Sequence, residues 1–543
     1  MAERQVAYPA LFLLLLLGIL IAAAGDNKND IIWRHERVRL RSERLLASIS
    51  AGNAPSPVPS SNSAPARVYH VSDYGADPTG SKDSTAAILS AISDAFRPLS
   101  NRSLIAGVAD LGGAEIDLDG GSYLISSPIN FPSSPAGNLK LHGGSLRASD
   151  SFPKDRYLIE LWSSAPSVTA STTYSYEYIT LSSLMLDANY CAGGIAVVNS
   201  LRTLIASCYI VRFSSDGIWV QNGHETLISS SFLGQHITAG ADPGERAFSG
   251  NGIRLAGNDN YVTDVVIFSA AIGILVAGGA NSIFGVHCYN KAAGFGGTGI
   301  YLKLPGNTLT RIENCYLDYT GIVSEDPVQL QVLGSFFLGD ANVVLKSVNG
   351  VMRGVDIAGN AFTGGGSGVE IVRLDETAGA FTAVEQVVVE RNSADGMSVR
   401  STAARAAISG NGTIWTADFS PVLLFPNRID HVQYTLMVGS GFANHALRNV
   451  SGNRVVIETD VATSATAYVA VGQGASNGEE IFEGQRRTLT HLQRRSSKGS
   501  EIFEGRRRSS KVEEDLQGKP QTLRDNSEGS SKEALTSSKC KVS

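Results

Sequence analysis

The chain runs to 543 residues, 43% of them hydrophobic, 18% charged and only 7% aromatic, with a formal net charge of −6. That length ordinarily means several domains, unless the architecture grows by repetition. The mild acidity leaves no electrostatic footprint for a nucleic-acid partner, and it selects no acidic polysaccharide either.

At the N-terminus Arg4 precedes an apolar run from Ala10 to Ala24, which exits through alanines to Gly25 and Asp26. A basic flank, a short apolar stretch and a small-residue exit describe a secretory signal peptide over residues 1–24. A membrane anchor needs ~20 apolar residues, more than this run offers. We therefore expect a secreted, extracellular protein with no stable span after cleavage. Sequons at Asn101, Asn411 and Asn449 fit glycosylation in that compartment. Residues 25–67 hold a basic amphipathic stretch, Asp30 to Ala47, able to form one helix. A Pro/Ser linker, Pro55 to Pro65, comes next and is expected to be flexible and extended.

The folded part opens with Asp73-Tyr74-Gly75-Ala76-Asp77-Pro78-Thr79-Gly80 and then Asp83-Ser84-Thr85-Ala86-Ala87-Ile88. Asp83 can cap a helix running to about Phe96. A helix there would cover the first open strand edges of the strand-rich region after it.

The middle of the chain is repetitive. A small or polar residue, Gly, Ile, any residue and an apolar one recur around Gly194, Gly217, Gly252, Gly273 and Gly299, at steps of 23, 35, 21 and 26. A small residue before an aromatic recurs in parallel at Tyr209, Phe232, Tyr289 and Tyr316, with Phe268 after Ile267 as a looser match, at steps of 23, 36, 21 and 27. Two patterns sharing one irregular rhythm are successive coils of a solenoid. Within each coil the apolar residues alternate, as in Ile218 and Val220 or Ile253 and Leu255, which is the period of a strand. Leucine-rich repeats and propellers are the competing solutions, but their Leu/Asn and Trp-Asp signatures are missing. The expected fold is all-β: a right-handed parallel β-helix with a short N-terminal capping helix, spanning residues 68–471. The stretch from Asp430 to Val471 reads as strands closing the far end.

One interval is longer than its neighbours by about a dozen residues, Gln235 to Arg246, and function commonly sits on loops held by a rigid scaffold. This loop offers Asp242 and Glu245 at the level of the coil carrying Asp216. Glycoside hydrolysis needs one protonated and one ionised carboxylate, which Asp216 with Asp242 or Glu245 can supply. The bland reading makes Asp242-Pro243-Gly244 a turn and Glu245 a solvated neighbour of Arg246. If Ile218, Ile253 and Ile300 point inward, Trp219, Arg254 and Tyr301 share one outward face, with Lys303 two residues further on. That set suits sugar rings and uronate carboxylates; each residue alone is also ordinary surface. His224, Glu225 and His287 are expected to be structural. No His/Cys spacing calls for a metal, and only the scattered Asp259 and Asp264 speak for a calcium-dependent lyase. No cofactor is implied. Cys288 and Cys315 sit one coil apart, either as a disulfide or as stacked thiols.

The tail, 472–543, is charged and Ser-rich from Asn477 onward and is expected to be disordered. It duplicates Glu480-Ile481-Phe482-Glu483-Gly484 at Glu501-Ile502-Phe503-Glu504-Gly505, as a docking motif or a local duplication.

The Asp-Tyr-Gly-Ala opening and the Asp-Ser-Thr-Ala-Ala-Ile after it resemble the pectin-lyase-like superfamily. More narrowly, Val68 to Val471 looks like the divergent plant Quartet-type polygalacturonases, of glycoside hydrolase family 28 type. The resemblance implies a secreted cell-wall hydrolase acting on pectin. The family's Asn-Thr-Asp-Gly-Ile falls on Ser214-Ser215-Asp216-Gly217-Ile218, which keeps the carboxylate. Its Gly-Asp-Asp-Cys-Ile falls on Ser249-Gly250-Asn251-Gly252-Ile253, where both aspartates are replaced. Its Gly-His-Gly-Ile falls on Ala271-Ile272-Gly273-Ile274, with Ile272 for histidine. Its Gly-Val-Arg-Ile-Lys falls on Gly299-Ile300-Tyr301-Leu302-Lys303, which keeps the lysine but has Tyr301 for arginine. Three readings compete: a polygalacturonase-like hydrolase acting as a monomer on acidic cell-wall polysaccharide, a lyase of the same fold, and a non-catalytic polysaccharide-binding protein.

Overall fold

Short runs of alternating β-branched and leucine residues form strands because a branched side chain packs well on a pleated surface. The structure, a computed structural model, describes residues 67–98, 100–162, 174–236, 248–290, 297–303, 305–306 and 309–474. The expected signal peptide, basic helix and linker lie outside the described residues, as do the tail beyond Gly474 and both loop carboxylates, Asp242 and Glu245. Among the described residues no helix is long and apolar enough to cross a membrane.

A system of 33 strands is joined by pairing between coils, parallel throughout except where Ser103–Ile105 meets Val108–Asp117. Each central coil contributes to three sheets. The first contains Asp216–His224, Asn251–Asn258, Ile272–Val276 and Thr298–Leu302. The second contains Leu227–Ser229, Tyr261–Thr263 and Ser282–Phe284. The third contains Tyr209–Val211, Phe232–Gly234, Val266–Ser269 and Tyr316–Asp318. The protein is therefore a parallel β-helix, as the alternation predicts.

Ile159, Ile195, Ile218, Ile253, Ile274, Ile300 and Ile322 stand directly above one another in the first sheet, all fully buried. Each contributes about 1.5–3 kcal/mol of burial. The glycine repeat has a steric cause: a Cβ on Gly217 would lie 2.6 Å from the carbonyl oxygen of Gly252, and one on Gly252 2.7 Å from that of Gly273. Coils pack too closely at this column for any other residue. Corners are tied by asparagines. Asn281 Oδ1 accepts from the backbone N–H of Asn260 at 3.0 Å, and Asn260 Oδ1 accepts from that of Thr226 at 3.0 Å, satisfying donors that the turns bury.

The aromatic repeat requires a correction. Tyr209 pairs with Phe232, and the column then passes through Val266, His287, Tyr316 and Phe336. Phe268 and Tyr289 lie two residues further along their coils. A shift of two keeps a side chain on the same face, so alternation alone does not detect it. For the same reason Cys288 pairs with Leu317 rather than Cys315, and both cysteines are buried free thiols.

The helix forms at Thr85–Ala95 and presses Ile88, Ala91 and Ile92 into the first coil. Asp83 serves it from just outside, accepting the Thr85 N–H at 3.0 Å. Beside it His70 Nδ1 meets Asp119 Oδ1 at 2.5 Å and Ser72 Oγ donates to Asp119 Oδ2 at 2.8 Å. The His70, Asp117 and Asp119 ligand atoms lie within 4.8 Å of one another, with Asp119 tied to His70 and Ser72 and its backbone N–H donating to Asp117.

The expected β-helix span of 68–471 holds two architectures. The parallel strand ladders end at Ser393–Asp395, followed only by isolated parallel bridges of Glu370 with Ser398 and Ser401 with Leu423. Beyond it Ala403–Asp418, His431–Val438 and His445–Ser451 each pair antiparallel with Arg454–Gly472. These strands are long and alternate one buried with one open face, the pattern of an antiparallel sheet rather than a coil. Trp415, Ile457 and Val469 give that sheet its own core. Leu424 and Phe425, on its connecting segment, join the solenoid core instead and close the last coil.

Candidate functional site

Tyr157 pairs with Gly193, and Asp216 with Asn251. Gly193 and Asp216 each stand two residues before a paired isoleucine, Ile195 and Ile218, so the four residues climb one column at the edge of the first sheet. Gly193 keeps that column open: a Cβ there would lie 2.3 Å from the Tyr157 ring. The ring therefore crosses this coil, and its hydroxyl donates to Asp216 Oδ2 at 2.9 Å. From the coil above, Asn251 Nδ2 donates to Asp216 Oδ1 at 2.6 Å. Asp216 is only 4% exposed, with both oxygens occupied. Burial, and then the Asp216 charge, push the Tyr157 phenol well above its usual pKa, so it keeps its proton as a donor.

Trp219 pairs with Ala196 below and Arg254 above. Its ring stacks on Tyr157 at 5.6 Å and meets the edge of Trp162 at 5.9 Å, with the Arg254 guanidinium carbon 5.7 Å from its centroid as a cation–π contact. The column continues through Leu275 to Tyr301. Trp219, Arg254 and Tyr301 thus share one outward column, as alternation predicts, with Leu275 between them.

Two details correct the expected sugar platform. Trp219 is half-buried with its ring already engaged, because the small Ala196 lets the rings close up; Trp162, at 37% exposure, is the open ring. The Tyr301 hydroxyl is also committed, donating to Glu325 Oε1 at 2.7 Å, an atom that Lys346 Nζ approaches to 3.3 Å. Lys303 is exposed just past its strand. Trp219 Nε1 and Arg254 Nε are buried without hydrogen-bond partners, donors whose desolvation is uncompensated.

Tyr157, Trp162, Glu325 and Lys346 are additions to the residues expected from sequence. A signal for Glu325 was present, since Gly321-Ile322 repeats the coil signature one turn beyond Gly299-Ile300. The rung of Tyr157 carries no such signature. Two buried carboxylates on this sheet do not pair with Asp216. Glu325 is four coils above it, about 19 Å at the usual strand spacing, beyond the ~6.5–9.5 Å of paired hydrolytic carboxylates. Glu160 is 1% exposed and held by Arg156 at 2.5 Å. His224 pairs with Asp259 at 2.7 Å and Glu225 with Arg202 at 2.8 Å, surface ion pairs in keeping with structural roles.

A profile of rhamnogalacturonase A/epimerase, pectate lyase-like proteins matches residues 68–322. Polygalacturonase QRT3 of Arabidopsis thaliana is 55% identical over 480 residues, 87% of this chain and 99% of that protein. The chain belongs to the pectin-lyase-like superfamily, among the divergent plant polygalacturonases. Solved structures also align: ORF18 of Geobacillus virus E2 at 12% identity and TM-score 0.46, over 73% of this chain and 77% of that one. The Streptococcus pneumoniae surface protein and adhesin PfbA aligns at 15% identity and TM-score 0.43, over 60% and 91%. Within this family the replaced positions now have structural surroundings. Asn251, standing where an aspartate is usual, is the residue that hydrogen-bonds Asp216. Ile272 stands in register between Asn251 and Thr298.

Proposed function

We infer that the protein is a secreted polygalacturonase-like glycoside hydrolase that cleaves α-1,4-galacturonan of cell-wall pectin. The observation that carries this reading is the 55% identity, across 87% of the chain, to a protein named a polygalacturonase. The residue roles follow from chemistry and from position in the sequence. In this reading Asp216, held in place by hydrogen bonds from Tyr157 and Asn251, acts as the base that activates water. The proton for the leaving oxygen then comes from Asp242 or Glu245 on the long loop that precedes the Asn251 strand. Trp162, Arg254, Tyr301 and Lys303 hold the chain of uronates, with Arg254 and Lys303 pairing its carboxylates.

Release of reducing ends from polygalacturonate by the wild type and by Asp216→Asn, Asp242→Asn and Glu245→Gln tests this assignment. Loss of turnover with retained binding in Asp216→Asn and in one loop variant supports it. Unchanged turnover in every variant refutes the site, and an ultraviolet-absorbing unsaturated product would make the reaction a lyase elimination instead.

A second reading has its own observation. A carboxylate 4% exposed with both oxygens engaged is also what a retired catalytic position looks like, which favours a non-catalytic polysaccharide-binding protein. A wild type that binds polygalacturonate without turnover decides for it.

Secretion is inferred from the signal peptide at 1–24. Exposure of Asn101, Asn411 and Asn449 supports their glycosylation. Intact mass of the protein from plant culture medium, before and after glycan removal, reads both the cleaved N-terminus and the occupancy.

A further inference from the structure

A column of aromatic side chains climbs the outside of the third sheet, away from the first-sheet site. Met185, Tyr209, Phe232, His287, Tyr316 and Phe336 occupy one outward position in successive coils, with Val266 between Phe232 and His287. Met185, Tyr209, Phe232 and Phe336 are 44%, 36%, 50% and 52% exposed. The two residues displaced in register, Phe268 and Tyr289, bridge the step at Val266. Tyr209 lies 6.2 Å from Phe232 and 6.1 Å from Phe268, which lies 6.5 Å from Tyr289. Tyr289 and Tyr316 then flank His287 at 4.8 and 4.4 Å, and Phe336 stands 6.5 Å beyond Tyr316. At ~4.8 Å per coil, the column from Met185 to Phe336 is about 29 Å long.

Its charges are distinctive. At the lower end Arg147 and Arg212 both turn onto Asp187. In the middle, burial lowers the His287 pKa against the opposing pull of Asp318, so the ring is neutral near pH 7; its Nε2 has no partner. Near the upper coils, starting two residues along the chain from Tyr316 and Phe336, lies a groove of about 630 Å³ lined by Asp318, Tyr319, Leu338, Gly339, Asp340, Thr363 and two glycines, none of them a column residue. Asp340 accepts from the Gly365 N–H and the Ser367 hydroxyl. Among the described residues no lysine or arginine lines this groove.

Three occupants can be weighed. A second copy of the chain needs ~800 Å² per partner; a strip about 29 Å by about 10 Å offers roughly 300 Å², the size of an ordinary functional patch. An acidic polymer is repelled by Asp318 and Asp340, unlike on the first sheet, where Arg254, Lys303 and Lys346 stand. An uncharged, straight polysaccharide fits both features: its C–H groups pack along the exposed parts of Tyr209, Phe232 and Phe336, and its hydroxyls donate to carboxylates and phenols.

We propose that the aromatic column of the third sheet binds an uncharged, extended β-1,4-linked polysaccharide, on a surface separate from the first-sheet site. The protein would thereby be held on a neutral matrix glycan with its first sheet free. Such anchoring is independent of whether the first sheet is catalytic.

Calorimetric titration of the full chain with cellohexaose, and separately with tri-galacturonate, tests it. Cellohexaose should bind, and Tyr209→Ala combined with Phe336→Ala should weaken it about tenfold or more. Both positions are exposed, so the fold should survive, as a thermal melt will verify; Phe336→Ala alone serves as a milder variant. Arg254→Ala should leave cellohexaose affinity unchanged, and the paired substitution should leave tri-galacturonate affinity unchanged. The proposal is overturned if wild type does not bind cellohexaose, or if binding survives the paired substitution. It is equally overturned if sedimentation shows that the same substitutions abolish self-association.

Discussion

Asp216 is held between two donors that come from opposite directions along the solenoid, Tyr157 from two coils below and Asn251 from the coil above. Removing one donor tests how far that setting matters. Tyr157→Phe should cost about 1 kcal/mol of stability, the usual net worth of one hydrogen bond, and should lower turnover by less than Asp216→Asn does. For Asp216→Asn the expected loss is about 10²–10⁴-fold in kcat, the usual share of general acid–base catalysis. Thermal melts and initial rates on the same preparations separate the two effects. Asp216 was legible in the sequence because it precedes the repeating Gly-Ile. Tyr157 was not, because its contact depends on an empty position, Gly193, in the coil between. The sequence shows Gly193 beside the repeating Gly194, but not which ring fills the space it leaves.

At the scale of elements, two motifs can be read as mechanical parts. The glycine column is one. Gly252→Ala would place a Cβ 2.7 Å from the Gly273 carbonyl oxygen, and overpacking against backbone typically costs about 1–3 kcal/mol; we expect the melting temperature to fall even though alanine is otherwise benign in strands. The opening motif is the other. Asp77 accepts the Thr79 hydroxyl and the N–H groups of Thr79, Ser81 and Lys82, and the Thr79 hydroxyl foremost lowers its pKa. For a carboxylate depressed in the folded state, its stabilisation is complete above the unfolded value of about 3.9 and vanishes as pH falls through the folded one. Asp77→Asn should therefore reduce stability at neutral pH and flatten the acid limb of the melting curve, with the variant and wild type converging at low pH. The existence of both motifs was clear from the sequence. The aromatic register was not, since a slip of two residues preserves every inward and outward assignment.

For the whole molecule, the solenoid stays closed only while its two ends are covered. Ile88, Ala91 and Ile92 of the helix seal the first coil, and Leu424 and Phe425 seal the last. Phe425, 5% exposed, is borrowed from the antiparallel sheet; Phe425→Ala should cost about 3–5 kcal/mol and promote edge-to-edge association. Chemical denaturation and light scattering would show both, whereas Phe442→Ala, at a fully exposed position on the loop between His431–Val438 and His445–Ser451, should show neither. The sequence by itself determined the coil, because each rung repeats a local pattern that only stacking can satisfy: apolar alternation, a glycine with no room above it, and polar corners. Only the tertiary structure decided which groups meet across coils. Contacts such as Tyr157 with Asp216, Trp219 with Trp162, Tyr301 with Glu325, and the ring column of the third sheet join residues whose separation in sequence carries no fixed period. Their meeting is set by the register of the coils and by which neighbours are small.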